Sequence, residues 1–146
     1  MENLNLTIQD IKKEFLIYKN GIVADSLRKI YPPGKVIFGL TVPQFLEIAR
    51  KYPKDKELAL SLWKDNTSRE ARLFSLYILP PSQLKEDEVI EMINGVESSE
   101  QAEFLAFKIL RNLPFARELY EQICKKEYSN PNVNYCIVMF GKNLQN

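Results

Sequence analysis

Histidine is missing from all 146 residues of this chain. Its absence removes the side chain most used as a proton shuttle near neutral pH and the commonest metal ligand, so hydrolases of the serine or cysteine triad type are not expected. Only two cysteines are present, Cys124 and Cys136. Zinc would have to combine them with carboxylates, an unusual set for a structural site, and the pair is read as reduced structural thiols. The five glycines are scattered, which excludes a phosphate-cradling glycine loop. Long apolar runs are lacking too, and the N-terminus mixes Glu2 and Asp10 with Lys12 and Lys13. Neither a secretory signal nor a membrane span is therefore expected, and the expected address is cytoplasmic. The acidic trio Glu86, Asp87 and Glu88 has no spacing resembling a calcium loop and reads as a solvated helix start, where negative charge complements the helix dipole. No metal or other cofactor is expected.

What is present is helix punctuation. A hydrophobic content of 45% with 27% charged residues fits one globular domain spanning residues 1–146. Thr41 with Gln44 and Pro43, Thr67 with Glu70, and Ser98 with Gln101 have the form of capping boxes, in which a side-chain oxygen and a returning Glu or Gln satisfy first-turn N–H groups. Asn130 followed by Pro131 supplies a fourth start. These starts are 26, 31 and 32 residues apart. A period of roughly 30 residues holds two helices and two turns, which is the spacing of helical repeats. The expected fold is all-α, a solenoid of stacked helix pairs with about nine helices and no sheet.

Between the starts, apolar residues follow the 3.6-residue period of one-sided helices. Ile8, Ile11, Phe15, Leu16 and Tyr18 form an opening helix that Asn20 and Gly21 are expected to end, and Ile22 to Ile30 form a second. The segment from Tyr31 to Gly39, YPPGKVIFG, must leave the helical path because it holds two prolines and two glycines. Leu58, Leu62 and Trp63 stripe one later helix; Leu73, Phe74, Leu76, Tyr77 and Ile78 the next; Val89, Ile90, Met92 and Ile93 a shorter one. Phe104, Leu105, Phe107, Ile109 and Leu110 precede a break at Asn112 to Pro114, after which Phe115, Leu119, Tyr120 and Ile123 resume. The run Cys136 to Phe140 suits a buried strand as well as a helix, and the preceding Asn130 and Pro131 favour helix. Trp63 is read as a large ring plugging the core between helices.

The net charge is +1, but it is unevenly spread. Residues 1–56 hold ten basic and six acidic side chains, residues 57–103 four and ten, and residues 104–146 six and three. Two basic regions thus flank an acidic one, short of the strongly basic face typical of phosphate-binding proteins, although a solenoid can gather Lys and Arg on its concave side. Arg69, Arg72, Lys108 and Arg111 are the candidate nucleic-acid contacts. They stay open to a second reading, as solvated faces paired with neighbours such as Glu70 and Glu103.

The segment KVIFGLTVPQFLEIAR, followed by LW-x5-REARLFSLYIL, resembles the alkylpurine DNA glycosylase family built from HEAT-like repeats. Its phenylalanine-glycine turn leading into a proline-started helix is matched by Phe38, Gly39, Thr41 and Pro43, and its leucine-tryptophan pair before an arginine-glutamate start by Leu62, Trp63, Arg69 and Glu70. The similarity is clear from Lys35 to Leu79 and rests on helix spacing elsewhere. The resemblance implies that the solenoid is a right-handed superhelix of HEAT/ARM-like helix pairs. It also implies DNA binding in a concave groove and excision of positively charged alkylated purines, with aromatic contacts to the lesion and an assisting carboxylate. That active-site pair is a tryptophan followed four residues later by an aspartate, and Gln101 and Leu105 stand at the matching positions. Sliding the register gives Glu100 with Phe104 or Ala102 with Ala106, and neither restores the pair. The family's phosphate-binding arginine falls near Cys136, and its second tryptophan has no counterpart.

The expected function is therefore that of a short, non-catalytic relative of the alkylation-repair glycosylases, binding duplex DNA or a protein partner on a concave face. The alternative is an active glycosylase in which Glu103, the nearest remaining carboxylate and a neighbour of Phe104, supports excision of cationic purines. The oligomeric state is left open, since terminal repeats need capping.

Overall fold

A computed structural model describes residues 2–144, and among these residues the chain is all-helical, with nine α-helices, three 3-10 turns and no strand. One isolated parallel bridge joins Val36 to Ser68. The helices group into two compact units, Met1–Leu79 and Pro80–Asn146. Among the described residues no helix is long and apolar enough to cross a membrane.

In the first unit, α1 (Glu2–Ile17) turns Ile11 and Phe15 inward, one helical turn apart, and both are fully buried. Phe15 is the hub of an aromatic cluster: its ring centroid lies 5.6 Å from Phe74, 6.4 Å from Phe45 and 6.4 Å from Phe38. Asn20 does not end this helix as its composition suggests. The helix stops at Ile17, and the Asn20 side chain instead accepts from Ile22 N–H and Val23 N–H to start α2 (Gly21–Leu27), because an amide oxygen serves as readily at an N-cap as at a helix end. A 3-10 turn, Arg28–Ile30, follows.

The Tyr31–Gly39 segment leaves the helical path as expected, with Gly34 and Gly39 at φ +88° and +92°. Beyond it, α3 (Val42–Ala49) begins at Thr41, whose N–H donates to Gln44 Oε1 at 2.9 Å. Asp55 caps α4 (Lys56–Lys64), which buries Leu58, Ala59, Leu62 and Trp63. The next start lies one residue later than the Thr67–Glu70 spacing predicts. Ser68 caps α5 (Arg69–Ile78) by accepting from Ala71 N–H, while the Thr67 hydroxyl donates to Asp65. Every α5 residue except Tyr77 is buried, so this helix is enclosed rather than amphipathic.

In the second unit, Pro81–Gln83 forms a 3-10 turn ahead of α6 (Glu86–Asn94), whose first turn holds the acidic trio; Glu88 accepts from Lys85 N–H at 2.8 Å. Ser98 caps α7 (Ser99–Lys108) through Gln101 N–H. The Gln101 side chain reaches past Ser98 to Glu97 N–H, so only half of the expected reciprocal box forms. The 3-10 turn Leu110–Asn112 occupies the predicted break before α8 (Ala116–Ile123). Finally α9 (Pro131–Leu144) starts at Asn130, whose side chain accepts from Asn132 N–H, and the ambiguous Cys136 to Phe140 run is helical.

The inner stripe of α7 differs from expectation. Ala102, Leu105, Ala106 and Ile109 are at most 1% exposed, whereas Phe107 is 49% exposed. Small alanines let α9 approach closely, bringing Cys136 Sγ within 3.8 Å of Ala102 O. A comparable approach occurs at Gly141, where a methyl group would lie 2.5 Å from Tyr120 Oη.

Candidate nucleic-acid interface

Arg69 and Arg72, two of the four basic candidates, sit on α5 and point into the first unit. Arg69 is 5% exposed; its Nη1 donates to Leu40 O at 3.1 Å and to Glu70 Oε2 at 2.5 Å. Glu70, fully buried, accepts from Phe38 N–H at 2.9 Å and from Gly39 N–H at 3.0 Å. A carboxylate with several charge-assisted donors is well matched to such a place, since it supplies acceptors to backbone groups that no helix or sheet would satisfy. The bridge at Val36 adds Val36 N–H to Thr67 O and Arg69 N–H to Val36 O. Phe38, Gly39, Arg69 and Glu70, separated in sequence by 30 residues or more, therefore form one buried knot that ties the irregular segment to the start of α5.

Gly39 belongs to the same knot for steric reasons. At φ +92° it carries no Cβ, and one built there would fall 2.5 Å from Asn20 O and 2.9 Å from Ala24 N, both backbone atoms. Arg72, 7% exposed, lies with its guanidinium carbon 4.5 Å from the centroid of the Trp63 ring. Trp63 is itself 5% exposed, in the core.

Lys108 and Arg111 lie in the second unit, at the end of α7 and in the 3-10 turn that follows it. Both are half-buried. The Arg111 guanidinium carbon stands 3.8 Å from the centroid of Phe107. Phe107 lies outside the buried stripe in which the apolar pattern places it; the spacing Ala102, Leu105, Ala106, Ile109 is a complete i, i+3, i+4, i+7 face that leaves no inward place for residue 107. On the neighbouring α9, Val138 is 50% exposed. The Tyr135 hydroxyl donates to Glu103, linking the two helices; this hydrogen bond to the carboxylate is the main cause that holds the phenol above its ordinary value.

The positions to which the resemblance assigns a catalytic pair lie inside the same unit. Gln101 is 1% exposed and engaged in capping, and Leu105 is fully buried. Cys136, where the resemblance places a phosphate-binding arginine, is also fully buried, and burial pushes its thiol up to about 12. Glu103 differs from these in being exposed.

A sequence-family model described as DNA alkylation repair enzyme matches residues 11–128. No curated protein and no solved structure matches the chain.

Proposed function

The chain belongs to the DNA alkylation repair enzyme family, and from that premise we propose that it is a non-catalytic member that holds nucleic acid on the exposed face of α7, the following 3-10 turn and α9. The observation that carries this reading is the burial of Gln101 and Leu105. Neither can reach a substrate, and neither offers the aromatic face or the carboxylate that the resemblance attaches to those positions. Lys108 and Arg111 carry positive charge at the end of α7, where Phe107 adds an exposed aromatic ring. Charge beside an aromatic surface suits a polyanion carrying planar bases. HEAT-like pairing of helices within each unit is part of the same proposal and is supported by the recurrent starts at Thr41, Ser68, Ser98 and Asn130.

In this reading Arg69 and Arg72 serve binding only indirectly, by shaping the first unit. A second reading, residual excision of cationic purines, is favoured by one feature: Glu103 is an exposed carboxylate on α7, held by a hydroxyl donor from α9. The binding reading is tested by fluorescence anisotropy of a labelled duplex, with and without an abasic-site analogue, at two salt concentrations. Affinity that falls steeply with salt supports it. Absence of binding at low salt, by this duplex and by a single strand alike, overturns it and directs attention to a protein partner.

A further inference from the structure

We propose that Phe107, backed by the Arg111 guanidinium, is a stacking platform for an uncharged base of single-stranded nucleic acid. This rests on the nucleic-acid reading above and narrows it to a ligand class. The apolar stripe of α7 is complete without Phe107, so the fold does not require a large ring at that position. The ring is nonetheless half exposed, and it is backed on one face: Arg111 Cζ lies 3.8 Å from its centroid. Among the described residues Arg111 makes no ion pair, and its buried Nε has no hydrogen-bond partner there. A guanidinium that packs on an aromatic ring and leaves carboxylates alone keeps its charge for an incoming anion.

The stacked cation also sets the charge of the base. A ring attracts cations through the negative potential of its faces. With one face already against a guanidinium, a second cation on the other meets a weakened potential and like-charge repulsion. A neutral base avoids both. The ring can reach a base only where the base lacks its stacked neighbour, which selects unpaired strands over intact duplex. The carboxylate one turn earlier, Glu103, is engaged by the Tyr135 hydroxyl.

The test uses the full chain and three labelled probes of equal length, a thymidine strand of about ten nucleotides, its duplex, and an abasic strand with the same phosphates, a span within the usual site size for single strands. The base-bearing strand is expected to bind about tenfold more tightly than the abasic strand, the scale of one aromatic-base stack. Phe107→Ala and Phe107→Leu should both abolish that advantage with melting unchanged, and Phe107→Trp should keep it; the leucine variant guards against a folding defect in the alanine one. In competition with the base-bearing strand, a methylated cationic nucleoside should displace it less well than its neutral parent, and equal or better displacement by the cation overturns the selection of an uncharged base. Equal affinity for base-bearing and abasic strands, or unaltered affinity in the leucine variant, overturns the platform while leaving nucleic-acid binding intact. Failure of all three probes to bind at low salt overturns both.

Discussion

Replacing Glu70 with alanine takes the acceptor from Phe38 N–H, Gly39 N–H and Arg69 Nη1 together. Removing one partner of a buried ion pair costs about 3–5 kcal/mol. Each stranded buried amide donor costs about 1–3 kcal/mol, and these penalties overlap with the first, so the expected loss is at least about 4 kcal/mol. For a domain of this size that corresponds to a fall in Tm of about 10–15 °C. Glu70→Gln keeps the volume and one acceptor oxygen and should lose about 2–3 kcal/mol. Urea and thermal unfolding of both variants, with Arg69→Ala and the double variant to complete a cycle, give the coupling directly. Strong coupling is expected, because the two side chains meet directly at 2.5 Å and both are almost fully buried. A Glu70→Ala protein within 1 kcal/mol of wild type, or additive losses in the cycle, would refute the account of the knot.

Gly39→Ala should lose at least about 2 kcal/mol, since its φ of +92° and the backbone atoms 2.5 and 2.9 Å from a new methyl leave no easy relaxation; denaturant unfolding checks it. Trp63→Ala should lose about 3–5 kcal/mol through the cavity it opens and the lost stacking of Arg72, and a near-wild-type melt would place the ring outside the core. Thiol labelling of the native protein at mildly alkaline pH should modify exposed Cys124 and spare Cys136, whose burial keeps it protonated, with both reacting after denaturation; mass spectrometry of the labelled peptides decides it.

Three of the expected helix starts need nothing beyond their own first turn, although Asn20, which caps α2 through Ile22 and Val23 N–H, shows that a capping residue can equally suggest a helix end. Thr41 with Gln44, Ser98 with the N–H of Gln101, and Asn130 ahead of Pro131 all start helices. The error at Thr67 has a non-local origin. Two hydroxyl residues stand side by side, and Glu70, three residues after Thr67, fits a capping box until Phe38 and Gly39, about thirty residues upstream, recruit its carboxylate instead. The same long-range contact explains Arg69, whose charge suggested an outward role and whose geometry is set by Leu40 and Glu70. Phe107 went the other way. Hydrophobicity alone assigned it to the core, yet the two alanines of α7 and their spacing already defined a narrower inward face. Exposure of the basic residues depends on which helix covers them, and no local pattern encodes that.

The most direct test of the central claim is single-turnover release of base from a duplex carrying a cationic N-methylated purine, measured with protein in excess. The account predicts release no faster than the spontaneous loss seen without protein, because Gln101 and Leu105 are buried and bring neither a carboxylate nor an aromatic face to a substrate. Accelerated release that disappears in a folded Glu103→Gln variant would contradict it and establish the chain as an active glycosylase.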